Sequence, residues 1–324
     1  MAVKDFPSQD STAPLQRGGE DVADYLPLLD NLGRLLSQPA PEPLRVFHGR
    51  GHRYPGLEHV TLDWYPPVLL LTFYQEPVHS AQLLEKILAA DVHKQVKSVV
   101  LQRRQRHRAD AELLWGEQFE TCTVVEGGLS FEVRPGVNRN VGLFLDMRPL
   151  REWLQTHSQG RNVLNLFAYT CSLSVAAVAG GARQVVSVDM SRPSIQWGLR
   201  NHRLNNQDAS LVRSLPHNIF TSWGRIQQLG RYDCILVDPP TRQRGSFDVA
   251  KNYPAVIKRL PKLIKPGADV IATINSPYQG PGFLIEQFEK FAPALRFVEF
   301  LPIAAEFQDK YPERGLNICL FREA

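Results

Sequence analysis

Two acids, each closing an apolar run, are the residues best placed to do chemistry. Asp189 ends the run Gln184-Val185-Val186-Ser187-Val188, and Asp238 ends Tyr232-Asp233-Cys234-Ile235-Leu236-Val237. Asp189 lies 23 positions after Leu166, which belongs to an earlier apolar run. A carboxylate about 20 residues beyond a first strand is spaced to take ribose hydroxyls. The turn after that run, Ala168-Tyr169-Thr170-Cys171-Ser172, carries a bulky Tyr where a dinucleotide site needs glycine against the pyrophosphate. A ligand with a ribose and no phosphates fits better, and S-adenosylmethionine is the common one. Asp238 is followed by Pro239 and Pro240. They put stiff, donor-free backbone at the carboxyl edge of a sheet, where open α/β sheets bind their ligands.

Such acids need a scaffold. Residues 162–189 read as strand, turn, Ala-rich helix, Gly180-Gly181 turn and strand, the first βαβ unit of a nucleotide-type fold. From about Gly136 the alternation continues. Strands are expected at 163–167, 184–188, 209–213, 232–237, 269–274, 297–301 and 316–321. Helices are expected at 146–156, 172–179, 193–205, 216–229, 249–263 and 282–291. Seven strands ending in a hairpin give a class I methyltransferase order: an α/β, Rossmann-like domain over residues 136–324.

Ahead of it the pattern is mixed. Residues 1–42 form a polar leader and an amphipathic helix over 21–36, stopped by Pro39, Pro41 and Pro43. The leader has no apolar core of the kind a signal peptide needs. Residues 43–135 read as a small α+β subdomain. It has a hairpin over 58–74, a helix over 80–90 with Ser80 as N-cap, a strand over 96–101, and a second hairpin turned by Gly127-Gly128.

Composition is that of a globular chain: 324 residues, 43% hydrophobic, 22% charged, formal charge +4. That charge permits nucleic acid without requiring it. The four cysteines are scattered, with no C-x-x-C pair, which is reduced, cytosolic usage. No apolar run reaches the length of a membrane span.

Each polar candidate has a plainer reading. Asp189 could cap the helix opened by Ser191-Arg192-Pro193, and the two roles are compatible. Asn218 could accept from an adenine amino group, with Ile219 against the ring, or serve only as a turn residue. For Asp146 and Arg148, two residues apart, a helix cap and a solvated charge are the plain alternatives. The stretch Lys94, Lys97, Arg103, Arg104, Arg106, Arg108 contains no acid. It is either a solvated face or a phosphate-binding surface. His48-Gly49-Arg50-Gly51-His52-Arg53 is a second cationic loop, without the further ligands of a metal site. Arg242 and Arg244, just past Asp238-Pro239-Pro240, would overhang the sheet edge and could hold a nucleic-acid phosphate or base.

As a set, five segments resemble the bacterial class I methyltransferases of 23S ribosomal RNA: Gly142 to Arg148, Asn165 to Thr170, Gly180 to Ala182, Ser187 to Ser191, and Val237 to Pro240. The resemblance runs from about Val46 to the C-terminus. It implies S-adenosylmethionine held by Phe144, Asp146, Arg148, Asn165, Phe167, Tyr169, Asp189, Met190, Asn218, Ile219 and Asp238. The 5-methylcytosine members of that family attack through a cysteine near the end of the fourth or fifth strand. Here those places read Asp238-Pro239-Pro240-Thr241 and Ile274-Asn275-Ser276-Pro277. The chain therefore looks closer to the guanine-N7 branch, with Asp238, Pro239 and Asn275 shaping the acceptor pocket. The extra N-terminal RNA-binding modules of full-length relatives are not expected in it. Ribosomal RNA is the expected partner, without membrane or metal, and a homodimer is admitted. A methyltransferase acting on a protein or small molecule, and a catalytically weak RNA-binding protein of this fold, stand as alternatives.

Overall fold

Helix α1 (Leu26–Leu36) sets Leu28, Leu32 and Leu36 on one buried stripe. They pack with Leu83 and Ile87 of α2 (Ser80–Ala90) on one face of a five-stranded sheet. Its order is β1-β2-β3-β4-β5, from β1 (Leu44–His48), β2 (Val60–Tyr65), β3 (Val68–Phe73), β4 (Ser98–Arg103) and β5 (Asp110–Gly116). β3 and β4 are parallel because α2 carries the chain back between them. This structure, a computed structural model, describes residues 25–75, 80–104, 110–137, 140–240, 242–243, 247–276 and 278–323.

A separate hairpin, β6 (Cys122–Glu126) with β7 (Leu129–Val133), turns on Gly127 and Gly128, both at positive φ. Two left-handed residues in a row are what a two-residue turn of this hand requires.

The seven-stranded sheet follows the order β10-β9-β8-β11-β14-β16-β15. Its strands are β8 (Asn162–Leu166), β9 (Gln184–Val188), β10 (Val212–Leu215), β11 (Tyr232–Val237), β14 (Ile264–Asn275), β15 (Leu295–Leu301) and β16 (Leu316–Glu323). A two-residue ribbon, β12 (Arg242–Gln243) with β13 (Phe247–Asp248), follows β11. Pairing is parallel as far as β14 and antiparallel for β16 and β15.

Helices α3 (Arg148–His157) and α4 (Ser172–Ala179) share one apolar cluster with one face of this sheet. On the other face lie α6 (Trp223–Gln228), α7 (Val249–Ile257) and α8 (Pro281–Phe291). α5 (Arg192–Leu204) completes the set. Central strands covered on both faces are continuous apolar runs, as Ile235-Leu236-Val237 is.

Several expectations are corrected. β1 and β5 have no counterpart in the sequence reading. The strand expected at 209–213 begins at Val212, because Asp208 accepts from the Ser210 amide and caps a short turn first. The helix expected over 216–229 shrinks to α6, since Asn218 caps a single turn ahead of it. α7 ends at Ile257, with Pro254 inside it. Helix α1 packs into the small domain rather than standing apart with residues 1–42. The β6–β7 hairpin buries Val124, Phe131 and Val133 in the cluster of α3 and α4, so it belongs with the larger domain. The leader, residues 1–24, lies outside the described residues. So do Arg106, Arg108, Arg244, Thr241 and Pro277.

Candidate active site

The turn after β8 holds three non-glycine residues at positive φ: Phe167 at 63°, Tyr169 at 46° and Cys171 at 60°. Such residues are uncommon, and they persist where the surroundings over-determine them. Here the restraints are visible. The Ala168 amide donates to Val188 O at 3.0 Å. The Tyr169 amide donates to Asp189 Oδ2 at 2.9 Å, and the Ser191 amide to Asp189 Oδ1 at 2.8 Å. The Tyr169 hydroxyl donates to Asn140 O at 3.1 Å, and Thr170 Oγ1 donates to Gly142 O. Segment 140–148 is thereby tied over the turn. Gly142 sits at φ +111°, and a Cβ there would lie 2.3 Å from the Trp197 ring, so only glycine fits.

These elements enclose a cavity of about 720 Å³ at the carboxyl edge of the sheet. Its wall includes Phe144, Asp146, Asn165, Phe167, Tyr169, Asp189, Met190, Asn218, Ile219, Asp238, Pro239 and Asn275. Three of these are carboxylates, and among the described residues of the wall none is Lys, Arg or His. A wall of that charge suits a cationic ligand and repels phosphates. Asn165 gives its amide to Ser174 Oγ at 2.8 Å, while its carbonyl oxygen has no partner. Phe144 and Met190 stand 41% and 48% exposed at the cavity, apolar surface that a ligand would cover.

Arg148 is not brought into this wall. It reaches Glu42 Oε2 at 2.5 Å and Glu152 Oε1 at 3.0 Å instead. The apolar residues after Asn218, expected against the ring, include Phe220; sequence reading missed Phe247, which stacks on Phe220 at 6.3 Å and stands edge-on to Phe167 at 5.1 Å. All three line the cavity as an aromatic patch beside Ile219. Phe220 directly follows Asn218-Ile219, a usable signal; Phe247 comes from the loop past Asp-Pro-Pro and had none.

Burial raises the Asp189 carboxyl, opposed by the two amides it accepts from. Burial also raises Asp146, against the pull of Arg45 and Arg151. Asp238 is pushed up to about 6, chiefly by burial and further by the charge of Asp146, while the hydrogen bond from Thr273 lowers it. The Asn218 side chain accepts from the Phe220 amide at 2.9 Å, which is the turn role. A second lone pair on that oxygen is available to a ligand.

None of the four cysteines lines the cavity. Burial pushes each thiol up to about 12. Thiols so raised are inert at neutral pH. Among the described residues, no group of three metal-ligating side chains occurs, and no helix is long and apolar enough to cross a membrane.

Among the described residues, the cation run of the small domain is not one patch. Lys97 and Arg104 sit at opposite ends of β4, joined to β3 at Pro67 O and Phe73 O. Between them Ser98 to Gln102 are buried over about 20 Å of strand. Arg103 pairs with Glu112 at 2.7 Å.

The strand order and a ligand cavity at the carboxyl edge of the parallel strands define a class I, Rossmann-like methyltransferase fold. Residues 44–322 match the family model of S-adenosylmethionine-dependent methyltransferases, and the chain belongs to that family. It is 32% identical over 232 residues to the ribosomal RNA large subunit methyltransferase K/L of Shewanella pealeana, covering 67% of this chain and 32% of that protein. The protein of the same name from Stutzerimonas stutzeri is 32% identical over 259 residues, covering 76% of this chain and 35% of that protein. The chain thus spans about a third of the length of these curated relatives. In structure it is similar to the methyltransferase SMU.776, solved complexed with SAH. The TM-score is 0.78 at 24% identity, over 91% of this chain and 79% of that one. Trm5b from Pyrococcus abyssi has the same fold at a TM-score of 0.58 and 18% identity, over 81% of this chain and 74% of that one.

Proposed function

We propose that this methyltransferase acts on a base of large-subunit ribosomal RNA, at guanine N7, without a covalent enzyme intermediate. The observation that carries the reading is a cavity edge of Asp238, Pro239 and Asn275 with no thiol in the wall. The relatives named ribosomal RNA large subunit methyltransferase K/L supply the substrate class. S-adenosylmethionine, when bound, brings a methyl group already activated by its sulfonium. The protein then has to align donor and acceptor. Guanine N7 has a free lone pair, so no proton need leave and no general base is required. Asp189 takes the ribose hydroxyls. Asn218, Ile219 and the Phe220–Phe247 patch take the adenine. Asp238, ionised above pH 6, accepts from the guanine N–H edge, with Pro239 and Asn275 bounding the base. Such a base must be single-stranded or flipped out to reach the edge. With bacterial ribosomal RNA as substrate, the protein works in the cytoplasm.

The test is transfer of a labelled methyl group to large-subunit RNA fragments, with nucleosides read by mass spectrometry. Label in 7-methylguanosine is expected. A parallel incubation with 5-fluorocytosine RNA is expected to trap no protein–RNA adduct; an adduct at any of the four cysteines would overturn the noncovalent assignment.

A further inference from the structure

Asp238 closes β11 without the backbone donors that an acid in such a place ordinarily finds. A carboxylate at a strand end is commonly answered by the amide two residues on, as Asp189 is by Ser191 at 2.8 Å. After Asp238 come Pro239 and Pro240, which have no N–H to give. A donor comes instead from the neighbouring strand. β11 and β14 run parallel with Val237 level with Ala272, which brings Thr273 beside Asp238. The Thr273 hydroxyl donates to Asp238 Oδ1. Thr273 is 3% exposed, so its hydroxyl is not diverted to bulk water. Two residues on, and on the same face of the strand, Asn275 stands in the cavity wall.

Tyr253 of α7 braces this pair. It is fully buried, and its hydroxyl lies 3.1 Å from Val237 O and 3.0 Å from Thr273 O, placed to donate to either. One phenol thereby ties the strand end that carries the acid to the strand end that carries its donor.

The other surroundings of Asp238 disfavour its charge. The ionisable groups about it are Asp146 from the segment ahead of α3, Asp189 on the same cavity wall, and Tyr253 from α7. Asp146 is a like charge. Burial, and after it the charge of Asp238, hold the Tyr253 phenol well above its ordinary value, so it stays neutral. Among the described residues of the wall none is Lys, Arg or His. Burial and Asp146 oppose ionisation of Asp238, and the Thr273 hydroxyl favours it.

We propose that Thr273 is a positioning residue of the methyl-transfer site, acting through Asp238: its hydroxyl keeps that carboxylate ionised for the acceptor base, and Tyr253 keeps the hydroxyl in place. The inference rests on the reading above that Asp238 meets the acceptor as a carboxylate.

The test follows methyl transfer to large-subunit RNA fragments from pH 5 to 8.5 for the full chain, as wild type, Thr273→Val and Thr273→Ser. S-adenosylhomocysteine calorimetry checks that the cofactor site is folded. Val keeps the branched shape that suits a strand and loses the donor, whereas Ser keeps the donor. The wild-type rise in kcat/KM is expected near pH 6. In Thr273→Val it should move up by about one unit, the worth of a hydrogen bond to a charged group. Activity should then be down about fivefold at pH 6 and recover by pH 8.5. Thr273→Ser should keep the wild-type position. Urea denaturation reads the same link without catalysis. The Asp238 carboxyl titrates higher in the folded protein than in the unfolded chain, so stability falls as pH rises between the two values. Losing the donor raises the folded value further. Thr273→Val should therefore lose more stability against wild type at pH 8 than at pH 4, where the folded carboxyl is protonated.

A wild-type rise that stays in place in Thr273→Val, or an equal stability loss at the two pH values, overturns the inference alone. A wild-type profile flat from pH 5 to 8.5 removes the carboxylate reading and the inference with it. If the fragments accept no methyl group, the RNA reading falls, and the denaturation comparison still decides the link between Thr273 and Asp238.

Discussion

Asp189 gives one carboxylate oxygen to Tyr169 and the other to Ser191, and still has lone pairs for two ribose hydroxyls. Replacing it with Ala should weaken S-adenosylhomocysteine by about 1.5–3 kcal/mol in calorimetry, the worth of hydrogen bonds to a charged group. Unchanged affinity in a folded variant would remove it from the site. Asp238 makes a pH prediction. Its folded pKa, about 6, is above the ordinary carboxyl value, so the native state binds the proton more tightly than the unfolded chain. The resulting instability is full above pH 6 and gone below about pH 4. Asp238→Asn should therefore stabilise the protein by about 1–3 kcal/mol at pH 8, with no gain at pH 4, as read by chemical denaturation. The same variant should lose at least tenfold in kcat, since an amide offers one acceptor oxygen where the carboxylate offers two and carries no charge. In wild type kcat/KM should rise through pH 6. An activity flat from pH 5 to 8 would mean that the carboxylate is not used.

Among the elements, the β6–β7 hairpin is anchored by one buried pair. Arg151 of α3 meets Glu126 through bonds of 2.5 and 2.8 Å, both side chains under 5% exposed, and also donates to Phe144 O at 3.0 Å. Arg151→Met leaves Glu126 buried and unpaired and should cost about 3–5 kcal/mol in urea denaturation. A loss below 1 kcal/mol would show that the hairpin is held by its apolar contacts and its hydrogen bonds to Trp197, Asn201 and Asn205 instead. The elements legible in the sequence were those buried on both faces: β8, β9 and β11 read as apolar runs because helices cover them on each side. β1 was not legible because Arg45 interrupts its apolar pattern and is answered by Asp63 on β2, a partner 18 positions away. β5, an edge strand with Leu113 and Trp115 left 41% and 42% exposed, shows no inward–outward alternation to read. At the site, Asp189 and Asp238 were visible because each ends a strand.

At the scale of the molecule, the acidic cavity of the methyltransferase sheet adjoins a second cleft closed by the small domain, and five residues wall both. The 302–315 segment docks on the small domain through the Lys310 amide on Gly51 O and Arg53 on Gln308 Oε1. The most direct measurement of the central claim compares large-subunit ribosomal RNA nucleosides, by mass spectrometry, from wild-type cells, deletion cells and deletion cells carrying this chain. One 7-methylguanosine is expected to vanish on deletion and to return with the chain. Identical nucleosides in all three strains would contradict ribosomal RNA as the substrate, and a missing methylated cytosine would contradict the guanine-N7 assignment.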